Sequence, residues 1–121
     1  MAIIQTATLH HHPGPASDIA RIMQTYVDAA APGSCTVISH FLDPQDVVSG
    51  AVRRIEQRLL DSSAGTGWFR TVDEIRSLFP GQCLVGPGVV PCYQWPDTYA
   101  EATNWTQGCI AGGIGQKRTG H

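Results

Sequence analysis

Three of the chain's five histidines are consecutive, His10, His11 and His12, and close an apolar run, Ala2–Leu9. A fourth, His40, stands near the end of a second apolar run, Cys35–Leu42. Imidazole titrates near neutral pH, so such a cluster can move protons or hold a metal ion. If both runs are parallel strands, the histidines lie at their C-terminal ends, where open α/β sheets place their ligands. His10, His11 and His40 are therefore the candidate catalytic residues, and His12 a candidate substrate contact. The same residues also suit a plain turn, with one ring partly buried against a backbone carbonyl. A metal ion would want a further carboxylate or thiolate at fixed geometry. None is evident, so no metal site is expected.

The aromatic residues Trp68, Phe69, Tyr93, Trp95, Tyr99 and Trp105 concentrate in loop-like stretches of the second half. Aromatic side chains on loops bring large contact area and a polar handle to an organic ligand, and equally serve to cap a core. Trp68, Tyr93 and Trp95 join His12 as candidate substrate-binding residues. Asp43, Asp73 and Glu74 read as helix caps rather than catalytic acids. Ser39 beside His40 lacks the G-x-S-x-G turn of a hydrolase nucleophile. A hydrolase is rejected.

The elements that must position these residues follow from periodicity. Ala2–Leu9 is short, β-branched and uncharged, which suits a strand buried on both faces of a parallel sheet. After His12-Pro13-Gly14-Pro15 a helix opens at Ala16 or Ser17. Its apolar positions are Ile19, Ile22, Met23, Tyr26, Val27 and Ala30, one continuous face at helical spacing. Pro32-Gly33 ends it, with Gly33 in left-handed conformation. Cys35–Leu42 is the next strand, so a right-handed βαβ unit is expected.

Asp43-Pro44 starts a second helix with an acidic N-cap; Val48, Val52, Ile55 and Leu59 face inward, and Arg53, Arg54, Glu56 and Arg58 outward. Ser62–Gly67 is a small-residue linker. Thr71–Glu74 is a capping box for a short helix reaching Phe79. Cys83–Val85 and Val89–Trp95 are strand-like, and Cys109–Gly115 is a last strand with glycines where a neighbour or ligand comes close. The sum is an α/β sheet, parallel with an antiparallel edge, flanked by helices.

One domain is expected over residues 1–121. Apolar residues make up 42% and charged residues 15%, as in globular proteins, and the net charge of −2 carries no footprint for nucleic acid or anionic membrane. No apolar run is long enough to span a bilayer, and His10–Pro13 interrupts Met1–Leu9 too early for a signal peptide. A cytoplasmic location is expected. Cys35, Cys83, Cys92 and Cys109 are too scattered for a zinc or disulfide framework and read as free thiols.

Several segments, in order, resemble an actinobacterial family of S-adenosylmethionine-dependent methyltransferases whose substrates are mostly unassigned. They are Ala7–His11, Ala30–Ser34 with Val37–His40, Arg70–Ile75, Leu84–Pro91 with Trp95-Pro96, and Gly112–Lys117. The resemblance implies a partial Rossmann-like methyltransferase sheet. Ala2–Leu9 would be its fourth strand, Cys35–Leu42 its fifth, and the last two strands its sixth and seventh. The family's first half is missing: no G-x-G follows a first strand, and no acidic residue ends a second strand for the ribose hydroxyls. Gly112–Gly115 does not replace it, because no helix follows. Phe79-Pro80-Gly81 and the histidine triplet depart from the family's usual wording.

Three functions follow as expectations. The chain binds a small molecule and catalyses a non-methylating step, such as a cyclisation or isomerisation in secondary metabolism. Alternatively, it is the C-terminal part of a split methyltransferase that gains S-adenosylmethionine only with an N-terminal partner. The third reading is a degenerate protein with a structural or interaction role. In each, the chain alone binds no cofactor. Ala2–Leu9, lacking its neighbour in the sheet, would pair with a second copy in a homodimer or with an N-terminal-half partner.

Overall fold

The computed structural model describes residues 1–6, 8–62, 67–95 and 97–118. Ala7, residues 63–66 of the expected linker and Pro96 of the Trp95-Pro96 motif lie outside them. Strand β1 (Ala2–Thr6) is followed by helix α1 (Ala16–Ala29) and strand β2 (Cys35–Phe41). β1 and β2 pair in parallel, with Ile3 beside Thr36 and Ile4 beside Val37, so the βαβ unit is present. Helix α2 (Ser49–Leu60) and the short α3 (Val72–Arg76) follow. The chain then forms β3 (Gln82–Leu84), β4 (Val90–Pro91) and the long β5 (Ile110–Lys117). β5 runs antiparallel to β2 on one side, and β3 and β4 both pair antiparallel with its other side.

Ile19, Met23 and Val27 of α1 turn inward, as their spacing predicts. With Ile38 and Leu42 of the second strand segment, Ile75, Leu78, Phe79 and Ala111, Ile19 and Met23 form the main core on one face of the sheet. Ile22 and Tyr26, expected on the same buried face, are exposed on its flank; nothing in the described chain reaches that far round the helix. Lys117 caps the helix end, its ammonium donating to the carbonyls of Val27 at 2.7 Å and Ala30 at 2.8 Å. Gly33 takes a φ of 86° and turns the chain into β2.

Other expectations needed correction. β1 ends at Thr6, and Leu9–His11 form a 3-10 turn. β1 is also an edge strand of half-exposed residues, not one buried on both faces. α2 begins at Ser49, not at Asp43: Gln45 adopts a positive φ of 58°, which breaks a helical path. The Asp43 carboxylate instead accepts from the Gln45 amide at 2.9 Å, the Ser49 hydroxyl at 2.6 Å and Arg53 at 2.5 Å. Glu56, expected outside, is buried and accepts from the Phe69 amide at 2.8 Å.

The capping box is as expected: Thr71 and Glu74 each accept from the other's backbone amide. Only Val90–Pro91 of the expected Val89–Trp95 strand is extended in the sheet, and Cys92–Gln94 coil into a 3-10 turn. The β5 glycines make room for a neighbour. A Cβ on Gly115 would stand 2.6 Å from the Phe79 ring, so that ring packs against bare strand.

Candidate functional site

The 3-10 turn after β1 brings His10 over the end of β2. Its imidazole stacks on Phe41, with centroids 3.8 Å apart and planes 13° from parallel. It meets His40 edge-on at 6.1 Å and His11 at 4.2 Å. Phe41 stacks in turn on Phe69 at 4.8 Å. Two near-parallel rings at such separations cannot share a face, so Phe41 lies between His10 and Phe69. The His10 carbonyl accepts from the Trp68 amide at 2.7 Å, which ties the segment before Arg70 to the turn.

His40 is buried, 1% exposed, and both its ring nitrogens are engaged. Nδ1 lies 2.7 Å from the Phe41 carbonyl and Nε2 lies 3.0 Å from Arg70 Nη1. A carbonyl only accepts and a guanidinium only donates, so the neutral Nδ1–H tautomer is the one that satisfies both. Arg70, 4% exposed, also donates through Nη2 to the carbonyls of His12 and Gly14, each at 2.9 Å. It thereby ties the turn after β1 to the end of β2. No ion pair to Arg70 occurs among the described residues. Burial pulls its pKa below the usual value, with Glu74 and Glu56 opposing the shift.

Both buried imidazoles are poor bases. Burial, then His11 and Arg70, lowers the His10 pKa to about 4. Burial also lowers His40 to about 4, against the favourable hydrogen bond to Phe41, with Arg70 and His10 adding to the fall. Burial alone would raise Asp43, but the hydrogen bonds from Ser49, Gln45 and Arg53 prevail and hold its carboxyl below the usual range.

Of the residues singled out from sequence, the structure gathers His10, His11, His12, His40 and Trp68, though His12 and Trp68 join through their backbones. His10 Nδ1 and Trp68 Nε1 are buried without a hydrogen-bond partner among the described residues. Trp95 lies elsewhere, lining an apolar cavity of about 230 Å³ with Val37, Ser39, Gly112, Ile114 and Cys92. Its indole N–H is likewise buried and unpaired. Tyr93 is half-buried in the 3-10 turn beside it.

Arg70, Phe41 and Phe69 were not singled out as site residues. Arg70 reaches the cluster through an isolated parallel bridge to Leu42, a contact with no local sequence signal. For Phe41 a signal existed, since it follows His40 directly.

All four cysteines are free, and no group of three His, Cys, Asp or Glu able to hold a metal occurs among the described residues. No helix among them is long and apolar enough to cross a membrane.

A family profile described as S-adenosyl methyltransferase matches residues 1–118. The chain belongs to the S-adenosyl methyltransferase family. A candidate methyltransferase from Thermobifida fusca is similar in fold at a TM-score of 0.76 and 31% identity; the match covers 98% of this chain and 43% of that one. A DUF574 family protein from Streptomyces avermitilis gives a TM-score of 0.76 at 22% identity over 96% of this chain and 44% of its own. The methyltransferase CalO6 gives 0.60 at 19% identity, covering 94% and 34%. No functionally curated protein matches. The chain thus spans less than half the length of these solved methyltransferase-like structures, and its mixed sheet corresponds to that part of their fold.

The described residues of this methyltransferase-family chain do not by themselves fit S-adenosylmethionine. The connection from β1 to α1 is a 3-10 turn with two prolines, and its His12 and Gly14 carbonyls are taken by Arg70. Among the described residues no strand leads into the glycine-rich turn that would cradle the cofactor. The buried charge nearby is a guanidinium, of the same sign as a sulfonium.

Proposed function

We propose that this chain supplies the acceptor-substrate side of a methyltransferase, with the cofactor held by a glycine-rich half that completes the sheet at β1. The observation that carries this reading is an unfinished sheet face. Ile4, Val37 and Ile114 stand side by side across β1, β2 and β5 on the face opposite the main core. Ile4 is 65% exposed, and β1 has a neighbour on one side only. Such an apolar row beside an open strand edge is what a sheet presents where another element packs. The buried, unpaired His10 Nδ1 and Trp68 Nε1 add support, because each costs roughly 1–3 kcal/mol unless something completes it. A neutral His10 is suited to hydrogen-bond a substrate held against it.

The test separates the chain from its complement. Calorimetry of the chain alone with S-adenosylmethionine should give no binding in the low micromolar range. Adding the separately produced N-terminal half of the Thermobifida fusca relative should yield a co-eluting complex that binds the cofactor more tightly than that half alone. Absence of any complex would count decisively against this reading.

The unpaired His10 nitrogen also suits a second reading, in which it orients a small molecule by a hydrogen bond for a cofactor-free cyclisation or isomerisation. Pairing of β1 with a second copy would then replace the missing half. A sharp outcome separates the two: a homodimer that turns over a substrate without S-adenosylmethionine supports only the second.

A further inference from the structure

A second apolar cavity, of about 150 Å³, lies under the start of β5, on the side of Phe41 and α2. Phe41 and Ile110, cross-strand partners on β2 and β5, line it. Ile55 of α2, Phe69 and Trp105 complete the apolar lining. Trp105 comes from the 3-10 turn Trp105–Cys109 and stays 49% exposed, as a side chain does at the mouth of a cavity. Two polar side chains at the rim are already engaged. The Thr106 hydroxyl donates to the Asn104 side chain, and the Cys109 thiol lies 3.8 Å from the Trp105 carbonyl. Nothing in the lining asks for a charged or strongly polar ligand.

We propose that this cavity binds a single aromatic ring, the aryl group of the acceptor substrate. Size is the first argument: an apolar cavity of about 150 Å³ holds a benzene-sized molecule. Geometry is the second. His10 and Phe69 cover the two faces of Phe41, so Phe41 offers the cavity its ring edge. Aromatic edges are electropositive and prefer the π face of another ring, which a saturated ring of equal volume lacks. Location is the third. Phe41 both borders the cavity and carries the His10 imidazole, so a ring bound here lies beside the histidine cluster. The inference deepens the substrate-side reading and rests on it, but its test needs neither cofactor nor partner.

The test is a titration of the full chain with phenol and, separately, cyclohexanol, followed through the methyl NMR signals of Ile55 and Ile110. The Ile114 methyl, which lines the other cavity, serves as the control. Phenol should shift Ile55 and Ile110 saturably, with a Kd on the order of millimolar, while Ile114 stays still. Cyclohexanol should bind at least fivefold more weakly. Ile110→Phe, which fills the space, should weaken phenol at least tenfold, read on Ile55. Trp105→Ala, an exposed position that spares the core, should weaken it severalfold, read on both isoleucines. Equal affinity for the two probes, unchanged affinity in the variants, or shifts confined to Ile114 would each overturn the assignment. So would loss of the phenol response on adding the N-terminal half, since a protein side chain would then fill the cavity. A failure to form that complex, with phenol still bound, would count against the split-enzyme reading and leave the aryl site standing.

Discussion

Arg70 is a buried cation with no ion pair among the described residues, and its guanidinium holds two carbonyls and the His40 ring. Arg70→Met removes those three donors at once. The released carbonyls of His12 and Gly14 then lose their partner, so stability should fall by about 2–3 kcal/mol in chemical denaturation. The same change removes a positive charge that depresses both imidazoles. NMR titration of His10 and His40 should therefore show both pKa values rising from about 4 in the variant. Unmoved values would mean that burial alone sets them.

The intact cluster also predicts a pH dependence of folding. Both groups titrate near 6.5 when unfolded and about 4 when folded, so the unfolded chain binds more protons between those values. Stability should be full above pH 6.5 and decline as the pH falls toward 4, by as much as about 2.7 kcal/mol per pH unit if both contribute. Urea midpoints across pH 4–7 measure it. His10→Gln should flatten the decline while leaving the midpoint at pH 7 nearly unchanged.

At the scale of elements, β5 and the segment after α3 approach closely. Phe79 packs on the backbone of Gly113 and Gly115, where an added Cβ would stand 3.3 and 2.6 Å from its ring. Because Phe79 belongs to the core and is 5% exposed, it has little space to retreat. Gly115→Val should cost about 2–3 kcal/mol by overpacking, and Gly113→Ala less, since a few tenths of an ångström relieve it. Thermal melts of the two variants should rank in that order. Gly112 offers a contrast: its nearest neighbour is the exposed Cys92 thiol, which can swing away, so Gly112→Ala should be nearly neutral.

At the scale of the whole molecule, the open edge of β1 and the row Ile4–Val37–Ile114 govern assembly. β1 carries no charge and no proline, the features that blunt edge strands. The chain should therefore self-associate at micromolar concentration when no complementary half is present. Ile4→Lys places a charge in the middle of the row at an exposed position. It should shift sedimentation toward the monomer without lowering the melting temperature. A monomer in both proteins, at every concentration tested, would show that edge and row need no cover.

The sequence by itself determined the elements whose signals are local. The 3.6-residue spacing of Ile19, Met23 and Val27 made α1 legible, and the Thr71–Glu74 box made α3 legible, because each signal closes within one or two turns of backbone. The ordered motifs likewise made the family legible from sequence. Tertiary structure alone decided what depends on partners distant in the chain. Asp43 resembles an N-cap locally, yet Arg53 ten residues on and the turn at Gln45 claim its carboxylate. Glu56 follows the pattern of an outward acid, yet the Phe69 amide draws it inward. The histidine cluster was visible as residue types but not as chemistry. Only packing shows that His40 has both nitrogens engaged while His10 keeps one buried and unpaired. That difference arises from Arg70, brought across 30 residues by a single bridge beside Leu42, a contact no local periodicity encodes.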